Sequence, residues 1–406
     1  MSTKYPGGVI KSSPVVPAGP YQNSSASGVW TMEQAGYWIK QGNWPTAGNI
    51  LNFGPLFSWG RNQSGQLGLG TSGSPATDIS SPNQVGALTT WKIISANGQA
   101  AYSIKTDGTL WAWGSGSGGQ LGLGNITNYS SPKQVGALTT WLSVSGGAGF
   151  ALATKTNGTL WAWGNNGAGQ LGLGDTTARS SPVQVGALTT WSNIAGGVVH
   201  ALATKTDGTL WSWGENGLGQ LGLGNLTYYS SPVQVGGLTN WLNVSASRYS
   251  AMASKTNNTI WSWGRNNNGQ LGLGDITNRS SPVQVGLLTT WLSISAGSSF
   301  SLATSSNGTL WSWGSGQGGA LGLGNTTTYS SPKQVGALTT WSNIAAGSQT
   351  SMTTKTDGTL WSWGTNLSGQ LGLGDTAYRS SPVQVGALTT WFSISLGAQT
   401  TLAIYT

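Results

Sequence analysis

A unit of fifty residues recurs without a slip from Pro82 onward, and no other feature restricts the fold as tightly. The motif W-x-W-G begins at Trp111, Trp161, Trp211, Trp261, Trp311 and Trp361, with Phe57-Ser58-Trp59-Gly60 as a degenerate first copy. G-Q-L-G-L-G follows, as from Gly119 to Gly124. Next comes S-S-P-x-Q-V-G, with its proline at 82, 132, 182, 232, 282, 332 and 382, and then a tryptophan at 91, 141, 191, 241, 291, 341 and 391. Only the first copy departs, with a short insertion around Gly73 to Asp78. Periods of this length mark arrays in which each unit buries its face against the next.

Each unit reads as four short strands. In the one that starts at Trp191, the pattern predicts a first strand from Trp191 to Ala195 and a second from Ala201 to Thr206. A third runs from Thr209 to Trp213, with Trp211 and Trp213 on one face and Leu210 and Ser212 on the other. Asp207-Gly208 supplies the two-residue hairpin turn between them. A fourth strand is expected near Val233 to Val235, opened by Pro232. No helical period separates the strands, which excludes parallel βαβ architectures.

A solenoid would need capping units at both ends, whereas here the ends are complementary. The last copy supplies only first and second strands, up to Thr406, and the first copy begins with its third strand at Leu56 to Gly60. The expectation is an all-β chain: a seven-bladed β-propeller of four-stranded blades over 54–406, closed by a mixed N-/C-terminal blade that removes sheet edges. The 23 tryptophans are its main packing material. Each buries roughly 150–250 Å², worth about 4–6 kcal/mol as an upper bound.

Composition narrows the function. Only 6% of residues are charged, and the net charge of +8 reflects scarce acids. Lys105, Lys155, Lys205, Lys255 and Lys355 recur one per repeat, so closure spreads them around a ring. A nucleic-acid groove needs a concentrated basic stripe instead, and no nucleic-acid partner is expected. The absence of cysteine leaves no disulfide, thiol chemistry or thiolate metal site. The N-terminus lacks an apolar signal region, and no run of eighteen apolar residues occurs, so neither export by a signal peptide nor membrane insertion is expected.

The run from Gly197 to Gly224, G-x-x-x-A-L-A-x-K-x-D-G-x-L-W-x-W-G-x-N-x-x-G-Q-L-G-L-G, resembles the repeat of the regulator-of-chromosome-condensation family. The resemblance extends over 54–406 and implies a seven-bladed propeller with a split, ring-closing blade. Members of that family include an exchange factor for a nuclear GTPase, a bacterial inhibitor of β-lactamases, and modules that bind other partners. Their repeats carry a histidine before A-L-A; here only His200 matches, with Phe150, Ser250, Phe300 and Thr350 at corresponding positions.

Residues 1–53 form a separate arm, rich in Pro, Gly and Ser up to residue 28. Thr31 with Gln34 gives a capping-box pattern and Gly42 a stop, which predicts a short helix near 31–41 carrying Tyr37 and Trp38 beside Trp30. Trp30, Tyr37, Trp38 and Trp44 are candidate anchoring residues, against the arm's own propeller or against another subunit. The stretch G-V-W-T-M-E-Q-A-G-Y-W-I-K-Q-G-N-W-P resembles N-terminal segments of virion proteins of marine tailed bacteriophages. That resemblance implies a propeller displayed on a particle.

The repeats also test catalysis. Asp107, Asp207 and Asp357 alternate at the hairpin with Asn157, Asn257 and Asn307, which assigns the position to turn geometry. Asp175, Asp275 and Asp375 alternate with Asn125, Asn225 and Asn325. The Asp copies accompany Arg179, Arg279 and Arg379, and the Asn copies accompany Tyr129, Tyr229 and Tyr329. Glu33, Asp78 and Glu215 remain as idiosyncratic acids, too scattered for a paired-carboxylate site. One histidine forms no multi-histidine metal site, so no enzyme, cofactor or metal is expected.

Binding is left, and variation between repeats marks where. The turn after the first strand and the loop after the third emerge on the same face. The first set of variable positions holds Phe150, His200, Arg248, Tyr249, Phe300 and Gln349. The second holds Arg61, Asn165, Glu215, Leu218, Arg265, Gln317 and Leu367. Exposed Tyr, Phe and Arg are common anchors. The expectation is a non-catalytic virion protein, part of a larger assembly, that holds other virion proteins through residues 1–53. Its face would bind a neighbouring subunit or a host-surface glycan or protein. The alternative is a soluble, cytoplasmic regulator or inhibitor that grips a partner such as a GTPase or an enzyme.

Overall fold

The computed structural model describes residues 53–73 and 77–406; the helix expected near 31–41 and the residues Trp30, Tyr37, Trp38 and Trp44 lie outside the described residues. Phe53–Thr406 forms a unit of its own, built as seven four-stranded antiparallel sheets. We number the blades from the one that starts at Trp91. In blade 3 the strands are Trp191–Gly196, His200–Lys205, Leu210–Gly214 and Tyr229–Gln234. Gly208 holds the hairpin between the second and third with φ of 76°. A Cβ there would meet the Thr239 carbonyl oxygen at 2.1 Å, so close approach and backbone conformation both demand glycine.

The fourth strand starts earlier than the sequence suggests. Tyr229 pairs with Gly214 and Val233 with Ser212, with an irregular register between. Pro232 therefore lies inside a bulged outer strand rather than opening it. Because this strand is the edge of its sheet, the missing N–H costs no ladder bond.

The ring closes as expected. Leu56–Gly60 pairs with Thr400–Tyr405, matching Leu56 to Ile404 and Gly60 to Thr400. Ile79–Gln84 and Trp391–Leu396 complete that mixed seventh blade. Seven buried clusters alternate with the blades, and each joins the Trp-bearing face of one to the aliphatic face of the preceding one. Between blades 2 and 3, Trp191, Ala201 and Trp213 meet Leu152, Leu160, Leu171 and Val185. Trp191 also sits edge-on to Trp211 and Trp213, at centroid distances of 6.0 and 6.1 Å, a favoured aromatic geometry.

Candidate functional site

The first strands of all seven blades line a central channel of about 540 Å³. At five of the seven blades its wall is held by a serine bonded to the next blade, with Ala195 and Ala345 at the other two. Ser95 Oγ accepts the Gly146 amide at 2.9 Å, Ser145 Oγ that of Gly196 at 3.0 Å and Ser395 Oγ that of Ala96 at 2.8 Å. Ser245 and Ser295 repeat the bond to Ala296 and Ala346. A hydroxyl at this point links two edges that twist prevents from pairing as strands. Arg248, at the mouth, is the single charged residue among the described residues that line the channel.

At this mouth the turns after the first strands meet the loops after the third strands, because the second strand of each blade runs back beside the third. In blade 4 Ser250 pairs with Gly264, which sets the Arg248–Tyr249 turn against Arg265. Both guanidinium carbons lie over the Tyr249 ring, Arg248 at 5.3 Å and Arg265 at 5.8 Å from its centroid. Arg265 also donates through Nε to Asn267 Oδ1 at 2.8 Å. In the adjoining loop of blade 3, Tyr228 is 53% exposed. Its phenol is pushed up by desolvation and then by the Glu215 carboxylate. Sequence reasoning missed Tyr228; its one signal is an aromatic where the first blade has Asn128.

Other members of the predicted face behave differently. Phe150, His200 and Phe300 are fully or almost fully buried, which corrects their reading as exposed anchors. Each opens a second strand and turns inward beneath the end of its first strand, where Gly147, Gly197 and Gly297 leave no room for another side chain. His200 is held by burial at a pKa of about 4, so it is neutral near pH 7. Gln349 donates to Gln317 Oε1 at 2.9 Å, and Arg61 donates to Gln399 and Gln63. Leu367 is 66% exposed, and Asn165 is exposed in its own loop.

The acids are explained by turn geometry. Asp107 Oδ1 accepts both the amide and the hydroxyl of Thr109, and Asn157 Oδ1 accepts the same pair from Thr159. Those bonds, with hydroxyl first, hold the Asp107 carboxyl below its usual range. Asp175, Asp275 and Asp375 pair with Arg179, Arg279 and Arg379 at 2.5–2.6 Å. Asp78 is also a turn residue rather than an idiosyncratic one: its Oδ1 accepts the Asn62 amide, as Asn128 and Asn278 accept those of Gly116 and Asn266. Among the described residues no three His, Asp or Glu side chains are grouped to hold a metal, and no helix is long and apolar enough to cross a membrane.

The repeated lysines are engaged as well. Lys105 Nζ lies 3.6 Å from the Trp111 ring centroid and 4.9 Å from that of Trp91. Lys155, Lys205, Lys255 and Lys355 stand 3.5–3.7 Å from the equivalent ring. These cations sit beneath the hairpin turns, on the end of the blades remote from Arg248, and their role is packing.

Comparison with known proteins agrees with this architecture. Residues 54–98 and 107–154 match the regulator of chromosome condensation (RCC1) repeat. The Ultraviolet-B receptor UVR8 of Arabidopsis thaliana is 39% identical over 77 residues, 18% of this chain and 17% of that protein. The Regulator of chromosome condensation of Xenopus laevis is 35% identical over 71 residues, 18% and 16% of the two chains. The Probable E3 ubiquitin-protein ligase HERC3 of Homo sapiens is 32% identical over 87 residues, 21% and 8%. The match thus spans less than a fifth of the length of each of these curated relatives. Among solved structures, human WBSCR16 superposes with a TM-score of 0.78 at 21% identity, covering 87% of this chain and 98% of that one. Prp20p from Saccharomyces cerevisiae gives 0.75 at 20%, covering 88% and 92%. The longest single match, over residues 140–403, takes in more than half of the sequence and all of blades 2 to 6, and by it the chain belongs to the RCC1-like domain family.

Proposed function

We propose that the chain is a non-catalytic, regulator-type propeller that grips a partner protein through the mouth of its channel, centred on blades 3 and 4. The observation that carries this reading is the Arg248–Tyr249–Arg265 cluster. Six of the seven turns at this position are built from small or neutral residues. Blade 4 alone places an arginine and a tyrosine there. The fold does not require them, since the sister blades close the same turn without them. A half-buried aromatic under two guanidinium groups offers an anchor that is already held in place.

Support comes from the family as well: the Xenopus relative is named a regulator, and Prp20p was studied for its binding to Gsp1p and histones. The proposal for this chain is a protein partner of that general kind. Display on a virion, anchored by residues 1–53, rests on a segment outside the described residues, and none of the relatives above adds to it. The regulator reading is the better supported.

The test is capture with purified wild-type chain against Arg248→Ala/Tyr249→Ala, followed by mass spectrometry and reconstitution of the captured protein. A partner retained by the wild type and lost by the double variant, with unchanged melting, is the expected result. Equal retention by both would remove this face from the function.

A further inference from the structure

We infer that the channel mouth recognises a carboxylate-bearing segment of its partner, with the Arg248 and Arg265 guanidinium groups as the receiving forks. The inference deepens the partner-binding reading and rests on it.

The bonding of the arginines is the evidence. Among the described residues there are six. Arg179, Arg279 and Arg379 each bind an aspartate at 2.5–2.6 Å, and Arg61 is held by two glutamine side chains. Only Arg248 and Arg265 stack on a ring. Arg265 spends its Nε on Asn267, which leaves its two terminal nitrogens unbonded among the described residues. Arg61 and Arg265 hold the same position in their repeats, so the first shows what a saturated arginine looks like here. In the seventh blade Gln399 accepts from Arg61; in blade 4 the equivalent residue is Tyr249, which stacks and leaves the fork unoccupied.

The surroundings select the ligand's chemistry. A planar guanidinium pairs best with a carboxylate or phosphate, by two parallel bonds. Among the described residues no acid lines the channel beside Arg248. Glu215 is turned to Tyr228 rather than to either arginine. Two cations do not make a phosphate track, and the repeated lysines are engaged at the far end of the blades. A nucleic acid would need that track continued. The Tyr249 ring beside both guanidinium groups favours a peptide, which can set an apolar side chain beside its carboxylate.

The test is a titration of the whole chain, with ¹⁵N-labelled arginine, by hexaglutamate, with oligothymidylate of equal charge in a parallel arm. Saturable shifts confined to the Arg248 and Arg265 Nε–H signals are expected in the wild type and in Tyr249→Phe, and hexaglutamate affinity read by isothermal titration calorimetry is expected to fall at least tenfold in Arg248→Gln/Arg265→Gln. No saturable shift, or tighter binding of oligothymidylate than of hexaglutamate, would overturn the inference. The captured partner separates the two claims. If it still binds Arg248→Gln/Arg265→Gln as tightly as wild type but is lost by Tyr249→Ala, the carboxylate inference fails and the partner-binding reading stands.

Discussion

The indole Nε1 of Trp213 donates a 2.9 Å hydrogen bond to the backbone carbonyl of Gln170, in the preceding blade. The same bond recurs around the ring, from Trp163 to Gln120, from Trp363 to Ala320 and, across the closure, from Trp59 to Gln370. The acceptor is main chain, which is why alanine serves at position 320. Each blade is thus fastened to its neighbour by a polar bond inside an apolar cluster. Trp213→Phe removes the donor and strands a buried carbonyl, at an expected cost of about 2–4 kcal/mol. Gln220→Ala keeps the carbonyl and loses only the side-chain bond to the Leu218 amide, at about 1 kcal/mol or less. Urea unfolding of both variants checks the order.

Gly122 and Gly136 separate strain from crowding. Both have positive φ, 71° and 62°. A Cβ on Gly122 would sit 2.8 Å from Trp163 Nε1, whereas one on Gly136 would meet nothing within 4 Å. The Trp163 indole is pinned by its bond to Gln120 and cannot retreat. Gly122→Ala is expected to cost roughly 2–4 kcal/mol and Gly136→Ala about 1 kcal/mol. Equal costs in thermal or urea melts would contradict this account of the G-Q-L-G-L-G motif.

His200 makes stability depend on pH. Burial lowers its pKa from 6.5 to about 4, and neither ring nitrogen has a hydrogen-bond partner among the described residues. As pH falls through 6.5 the unfolded chain takes up a proton, while the folded chain does not until about 4. The folded state therefore loses stability across that window, by up to about 3 kcal/mol, and loses no more from this group below it. His200→Phe installs the residue that Phe150 and Phe300 already hold in sister blades. It should match wild type or exceed it at pH 7.5 and flatten the decline toward pH 4.5, read from urea midpoints at both values.

Ser305 stands where five blades have lysine. The Trp291–Trp311 pair keeps the same edge-on geometry, 5.9 Å at 79°, without a cation over it. Ser305 instead bonds Asn307 and Thr309. Ser305→Lys should place an ammonium over Trp311 and raise stability by about 0.5–1 kcal/mol. Lys205→Ser should lower it by a similar amount. Melting shifts of the same sign for both would refute the packing role of these lysines.

The architecture was legible because the repeat is free of insertions after Pro82, so strand number and the complementary ends could be counted directly. Depth was harder to read. His200 shares a strand face with Leu202 and Thr204, and the whole second strand is buried, but its place beside a turn suggested exposure. The bulge of the fourth strand was hidden because Pro232 looks like a strand opener. Tyr249 and Arg265 were both named as face residues, yet their stacking depends on the Ser250–Gly264 register, which spacing alone does not give. Asp78 looked unique only because the insertion precedes it; its position fifty residues before Asn128 was the missed signal.

Amide hydrogen exchange of the whole chain, with and without the captured partner, tests the central claim most directly. The account predicts protection at 247–249, 265–268 and 215–218, with the hairpin turns at 106–108, 156–158 and 206–208 unaffected. Protection confined to those hairpin turns, or none at 247–249, would contradict it.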